Sequence, residues 1–113
     1  MSIYSLAFNS KGILWVGYKY GGLARHENNK WSIYTDKTSK LPDNMVFSLS
    51  IDKKDNLWIA TNGHGLARFD GRNWDVYNSA NSPLADDNLM YVLADCNSKW
   101  ICTAEKGVFL FEE

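Results

Sequence analysis

One histidine stands out among the residues able to do chemistry. His64 sits in Asn62-Gly63-His64-Gly65, where the flanking glycines let the backbone turn sharply and present the imidazole. An imidazole changes charge near neutral pH and can accept or donate a proton. Comparable loops carry Tyr18, Lys19 and Tyr20, and Glu105 and Lys106. Acidic and amide runs, Asp43-Asn44 and Asp86-Asp87-Asn88, precede two strand-like stretches. These phenols, ammonium groups, amides and carboxylates suit hydrogen bonding and stacking on a bound ligand. Catalysis is poorly served. His26 is the only other histidine, and no Ser-His-Asp elbow, Walker loop or paired-carboxylate constellation is readable.

The elements that must position these residues repeat. Trp15, Trp58 and Trp100 recur at spacings of 43 and 42, inside LWVGYKYGGLAR, LWIATNGHGLARF and KWICTAEKGVFLF. A second set follows in register, NKWSIY and RNWDVY, with Trp31 and Trp74 43 apart, as are Tyr34 and Tyr77. A period near 40–45 residues with Trp and Gly landmarks marks a propeller blade. The middle copy shows how one blade is built. Residues 45–52 alternate as a first strand, 57–61 form a second, 66–70 a third and 74–77 the outermost, with turn clusters at 52–56, 62–65 and 71–73. Links 35–44 and 79–88 join the copies. The expected fold is all-β: about 2.75 four-stranded antiparallel blades, 11 strands and no substantial helix, with blades near 3–35, 45–78 and 89–113.

In such a blade the loops between second and third strands open on the same face as the links. The sequence thus gathers Tyr18, Lys19, Tyr20, Asn62, His64, Glu105 and Lys106 on one rim. A repeating scaffold with non-repeating polar loops is a common way to mount a binding site. The repeated Trp15, Trp58 and Trp100 are expected between blades. Trp31 and Trp74 lie on outer strands, structural or exposed for stacking. Arg25 and Arg68, in matching places, read as structural ion pairs or stacks. Asp52, Asp55 and Asp95 fall in hairpin turns, where Asp bonds its own backbone.

Bulk properties exclude several classes. The chain has 113 residues, net charge −1 and no basic stripe for a phosphate backbone. Its longest apolar stretch, around 12–18, is far short of a membrane span, and its first residues lack a signal peptide's charged start and apolar run. With Asn97-Ser98 as the turn, Cys96 and Cys102 would not face each other, and C-x5-C has no matching pair for zinc. No cofactor or metal is expected.

The run DKKDNLWIATNGHGLARFD, 52–70, resembles the two-component regulator propeller repeat, roughly D-x-x-G-N-L-W-I-G-T-x-x-G-G-L-x-R-[FY]-[DN]. The first copy keeps Gly12, Leu14, Trp15, Gly17, Gly21, Gly22, Leu23 and Arg25, with Asn9 for the Asp. The third keeps Asp95, Trp100, Ile101, Thr103 and Gly107. The resemblance implies a ligand-sensing piece of a periplasmic or extracellular propeller, carrying no kinase or DNA-binding part. Two other readings stand beside it: a protein–protein scaffold, and an enzyme similar to streptogramin lyase propellers, which use a loop His with a divalent metal. Three blades would leave two apolar faces uncovered, so the chain is expected either to belong to a longer propeller or to dimerise into a six-bladed ring.

Overall fold

The structure, a computed structural model, describes residues 2–84, 86–95 and 98–112. Every regular element among them is a strand: β1 (Ile3–Phe8), β2 (Leu14–Tyr18), β3 (Leu23–Glu27), β4 (Lys30–Tyr34), β5 (Val46–Ile51), β6 (Leu57–Thr61), β7 (Leu66–Phe69), β8 (Trp74–Tyr77), β9 (Leu89–Asp95), β10 (Ser98–Thr103) and β11 (Val108–Glu112). They form three antiparallel meanders, β1-β2-β3-β4, β5-β6-β7-β8 and β9-β10-β11. The 11 strands and propeller-type blades match the expected fold class.

Short-range chemistry explains the turns. Asn28 and Asn29 both adopt positive φ, 54° and 61°, as a two-residue hairpin between Glu27 and Lys30 requires. Gly22 and Gly65 are needed for a different reason. A Cβ on either would sit 2.3 Å from a carbonyl oxygen, that of Tyr34 or Tyr77. Each blade also carries a register shift near the start of its first strand, at Ile3/Ser5, Val46/Ser48 and, across from Leu89, Cys102/Thr103. Such bulges raise local twist, which a blade needs.

The sheets stack face to face, with β5 lying between β1 and β9 along the inner edge. Between the first two blades lies a core containing Trp15, Leu23, Leu49, Ile59 and Phe69. Between the second and third lies one containing Trp58, Leu66, Val92, Ile101 and Phe111. At the inner edge serine hydroxyls bridge the seams. The Leu49 N–H donates to Ser5 Oγ at 3.1 Å, the Val92 N–H to Ser48 Oγ at 3.2 Å and the Ala94 N–H to Ser50 Oγ at 2.9 Å.

Burial follows this stacking and corrects one expectation. Trp15 and Trp58 are 2% and 0% exposed, but Trp100 is 43% exposed. Trp100 stands on the front of the third blade, where the pattern shown by Trp15 and Trp58 calls for another blade. That front also exposes Tyr91, Leu93, Val108 and Leu110, and the back of the first blade exposes Leu6, Phe8, Trp31 and Ile33. The expected turn at Asn97-Ser98 is also displaced, because Ser98 belongs to β10 and pairs with Asp95. Cys96 and Asn97 lie outside the described residues; Cys102, opposite Tyr91, has no disulfide partner among the described ones.

Candidate ligand-binding face

Backbone hydrogen bonds build the loop face. In each blade the loop after the second strand bonds the residue preceding the first: Lys19 N–H to Ser2 O, Asn62 N–H to Met45 O and Ala104 N–H to Asn88 O. The same loops reach the following link, Gly22 N–H to Asn44 O and Gly65 N–H to Asp87 O. The links are stiffened from within. Asp43 Oδ1 accepts from Met45 N–H and Asp86 Oδ1 from Asn88 N–H, the same turn in both links. Asn44 Oδ1 takes the Asp36 N–H at 2.7 Å, and Asp87 takes the Ser79 N–H and hydroxyl. Polar loops therefore stand on rigid, repeated mounts.

The side chains on those mounts differ. Tyr18 closes β2 opposite Ile3 and is half-buried. Lys19 lies over the Tyr20 ring at 5.1 Å, and Tyr20 is exposed. The Tyr20 and Tyr4 phenols hold the Lys19 ammonium above its usual range. Asn62 is half-buried, while Glu105 and Lys106 are exposed. His64, which the sequence leaves without an evident partner, has one: its Nδ1 lies 2.8 Å from Asp43 Oδ2. That hydrogen bond, against slight desolvation and with help from the negative charges of Asp43 and Asp87, raises the His64 pKa above the ordinary histidine value. The pair spans 21 residues, so no local spacing signals it. Among the described residues, no three His, Cys, Asp or Glu side chains converge as a metal-ligand set.

The repeated polar residues are structural. Arg25 pairs with Glu27 at 2.6 Å and lies over the Trp15 ring; Arg68 pairs with Asp75 and lies over the Trp58 ring. His26 packs on Trp31 with ring centroids 4.6 Å apart, away from the loops. Asp52 bonds its own turn through Lys54 and Asn56, as expected, and also accepts from the buried Trp58 indole N–H at 2.9 Å. Asp55 reaches across the seam to Ser10.

Residues 40–63 match the family pattern described as two component regulator propeller. The chain carries the two-component regulator propeller repeat. Solved structures with this architecture are much longer. The chain aligns over 98% of its length with the extracellular domain of a proposed one-component system from B. thetaiotaomicron, at 31% identity and TM-score 0.79, covering 16% of that chain. A related extracellular domain, from a proposed hybrid two-component system of the same organism, aligns at 27% identity and TM-score 0.79, again covering 16% of its chain. The PorZ surface component of the Porphyromonas gingivalis type-IX secretion system shares the fold at 22% identity, TM-score 0.76 and 97% of this chain, which spans 17% of it. Virginiamycin B lyase from Staphylococcus aureus shares it at 16% identity and TM-score 0.66, over 99% of this chain and 41% of the lyase. No curated protein matches. No helix among the described residues is long and apolar enough to cross a membrane.

Proposed function

We propose that this propeller repeat unit is a non-enzymatic sensor module that binds a small molecule or glycan on its loop face, on the periplasmic or extracellular side of a signalling protein. The observation that carries this reading is the contrast on that face. Repeated backbone bonds fix the loops, while Tyr20, His64 and Lys106 occupy them without repetition. Likeness to extracellular domains of sensor systems supports the signalling role and the compartment. The lyase reading has less support. His64 has a single carboxylate partner and a 66% exposed side chain, whereas proton transfer in catalysis is usually run from a sheltered site. A thermal-shift and glycan-array screen tests the proposal. Replacing Tyr20, His64 and Lys106 together with Ala should abolish the binding found with the native chain and leave the fold intact; binding that survives places the site elsewhere.

A specific observation favours a second role as a scaffold for itself. The exposed back of the first blade matches the back of the second, which packs on the blade before it; Leu6 corresponds to Leu49 and Trp31 to Trp74. The exposed front of the third blade is the counterpart of the other two fronts. A second copy offers the missing surface in both places. Two chains give six blades, within the roughly four to eight of known rings, while three give nine. One head-to-tail contact used twice closes such a ring. Light scattering at micromolar concentration should report twice the chain mass; a stable monodisperse monomer rules the ring out.

A further inference from the structure

We infer that the outer cleft between the first two blades is a second binding site, for a small anion with a flat apolar face. The cleft encloses about 380 Å³ where the 35–44 link passes the β7–β8 turn. Tyr34, Phe69 and Trp74 line it. Phe69 stacks on Trp74 with centroids 4.0 Å apart and planes 12° apart; Tyr34 meets both edge-on, at 5.2 and 6.1 Å. These rings are held before any ligand arrives, so binding orders little side-chain freedom.

Two cations complete the lining. Lys40 comes from the link and Arg72 from the β7–β8 turn, and both are exposed. Neither makes an ion pair among the described residues. Neither belongs to the repeat: Pro83 stands in the next link where Lys40 stands in this one, and Asn29 stands in the first hairpin where Arg72 stands in the second. The aromatic frame does repeat, Tyr34 with Tyr77 and Trp74 with Trp31. The third blade has three described strands and so presents no counterpart of Trp74 to the second seam.

The chemistry follows from this lining. A guanidinium and an ammonium group take a carboxylate or sulfate by charge-assisted hydrogen bonds. The half-buried Trp74 and Tyr34 rings, backed by the buried Phe69, take the apolar face of an aromatic or sugar ring. An aromatic acid and an acidic sugar share this chemistry. The β7–β8 turn stands at the opposite end of β7 from the 61–65 loop, and the cleft shares no lining residue with the loop-face set Tyr18, Lys19, Tyr20, Asn62, His64, Glu105 and Lys106.

The test titrates the chain with 4-hydroxyphenylacetate and with glucuronate, following tryptophan fluorescence and amide chemical shifts. At least one probe should saturate, with its uncharged analogue, the amide or glucose, binding more weakly. Losing a charge-assisted bond in Arg72→Ala or Lys40→Ala should weaken binding by about tenfold or more. Both are surface changes that leave the rings in place. The triple Ala change at Tyr20, His64 and Lys106 should have no effect, which separates this site from the loop-face proposal. Saturation by the phenyl acid alone identifies an aromatic acid as the ligand class, and by glucuronate alone an acidic sugar. Failure of both probes to saturate at millimolar concentration, or binding indifferent to both charge removals, overturns the inference.

Discussion

Asn9 and Asp52 occupy the same place in successive blades, and exchanging their side-chain types should move stability in opposite directions. In the second blade, Asp52 Oδ1 accepts the Lys54 and Asn56 amides at 2.9 and 3.0 Å, while Oδ2 accepts Asn56 Nδ2 at 3.1 Å and Trp58 Nε1 at 2.9 Å. In the first blade, Asn9 Oδ1 accepts the Lys11 and Ile13 amides at 2.9 and 3.1 Å, the same turn. The second side-chain atom of Asn9 is then an amide nitrogen, and the buried Trp15 Nε1 has no acceptor among the described residues. Asp52→Asn would set an NH2 group against two donors. Losing a hydrogen bond to a charged acceptor and stranding a buried donor costs about 2–3 kcal/mol. Asn9→Asp should gain less, about 0.5–1.5 kcal/mol, because Ile13 replaces the helpful Asn56 and Asp55 brings a like charge across the seam to Ser10. Urea titration reads both, since about 2 kcal/mol moves the midpoint by roughly 1 M at typical slopes. Acid adds a second readout. Burial opposes the Asp52 charge, but the Trp58 and Asn56 donors outweigh it and lower the pKa. A lowered folded pKa gives stability that is present above the unfolded carboxylate value and lost as pH falls through the folded one. The gap between native and Asp52→Asn chains should therefore close in strong acid. An Asp52→Asn chain as stable as the native one at neutral pH, or a destabilised Asn9→Asp chain, refutes the reasoning.

Trp58→Ala should cost about 3–5 kcal/mol in a denaturant titration, because Trp58 is fully buried between blades, and Trp74→Ala clearly less, because Trp74 is partly open to the outer cleft. Equal losses would contradict the strand order. By proton NMR, His64 should titrate above the ordinary histidine value, so its contribution to stability is present below the unfolded pKa and fades as pH rises through the raised folded one. Asp43→Asn should bring its titration back toward normal; an unchanged midpoint would dismiss the pair. Gly65→Ala should destabilise far more than Gly12→Ala, since both have positive φ but only at Gly65 would the new methyl strike a carbonyl. The Gly12 change should cost about 1–2 kcal/mol from backbone strain alone, and similar losses would show that the Gly65 backbone can give way.

The repeat was readable because periodicity fixes both strand order and the direction each side chain faces. Trp15 and Trp58 went to the seams, and Arg25 and Arg68 to ion pairs stacked on those rings. Burial of Trp100 depends instead on what stands before it, which no period encodes. The His64–Asp43 contact joins a loop to a link in the same seam, so it follows from the packing of blades and not from spacing along one. The outer cleft was missed for a related reason. Lys40 and Arg72 look like ordinary solvated charges until the link folds back beside Trp74.

The serine bridges give the stack a direction. Each of the first two blades hands a hydroxyl forward, and the blade in front receives it on a backbone amide that any residue except proline would supply. A gene duplication that copied the second blade in place would thus restore every bridge without further change, because Ser48 moves with the unit and the Leu49 amide is always there. Behind the first blade, the newcomer alone would have to carry the serine. Beyond the third, Tyr91 and Leu93 stand where Ser48 and Ser50 stand in the second. A blade arriving there, the first blade of a second copy included, meets a phenol and an isobutyl group in place of the two hydroxyl acceptors, so that seam would be held by apolar contact without the bridge. The array can lengthen from within by simple copying, while at its front edge the rule for adding a unit is different.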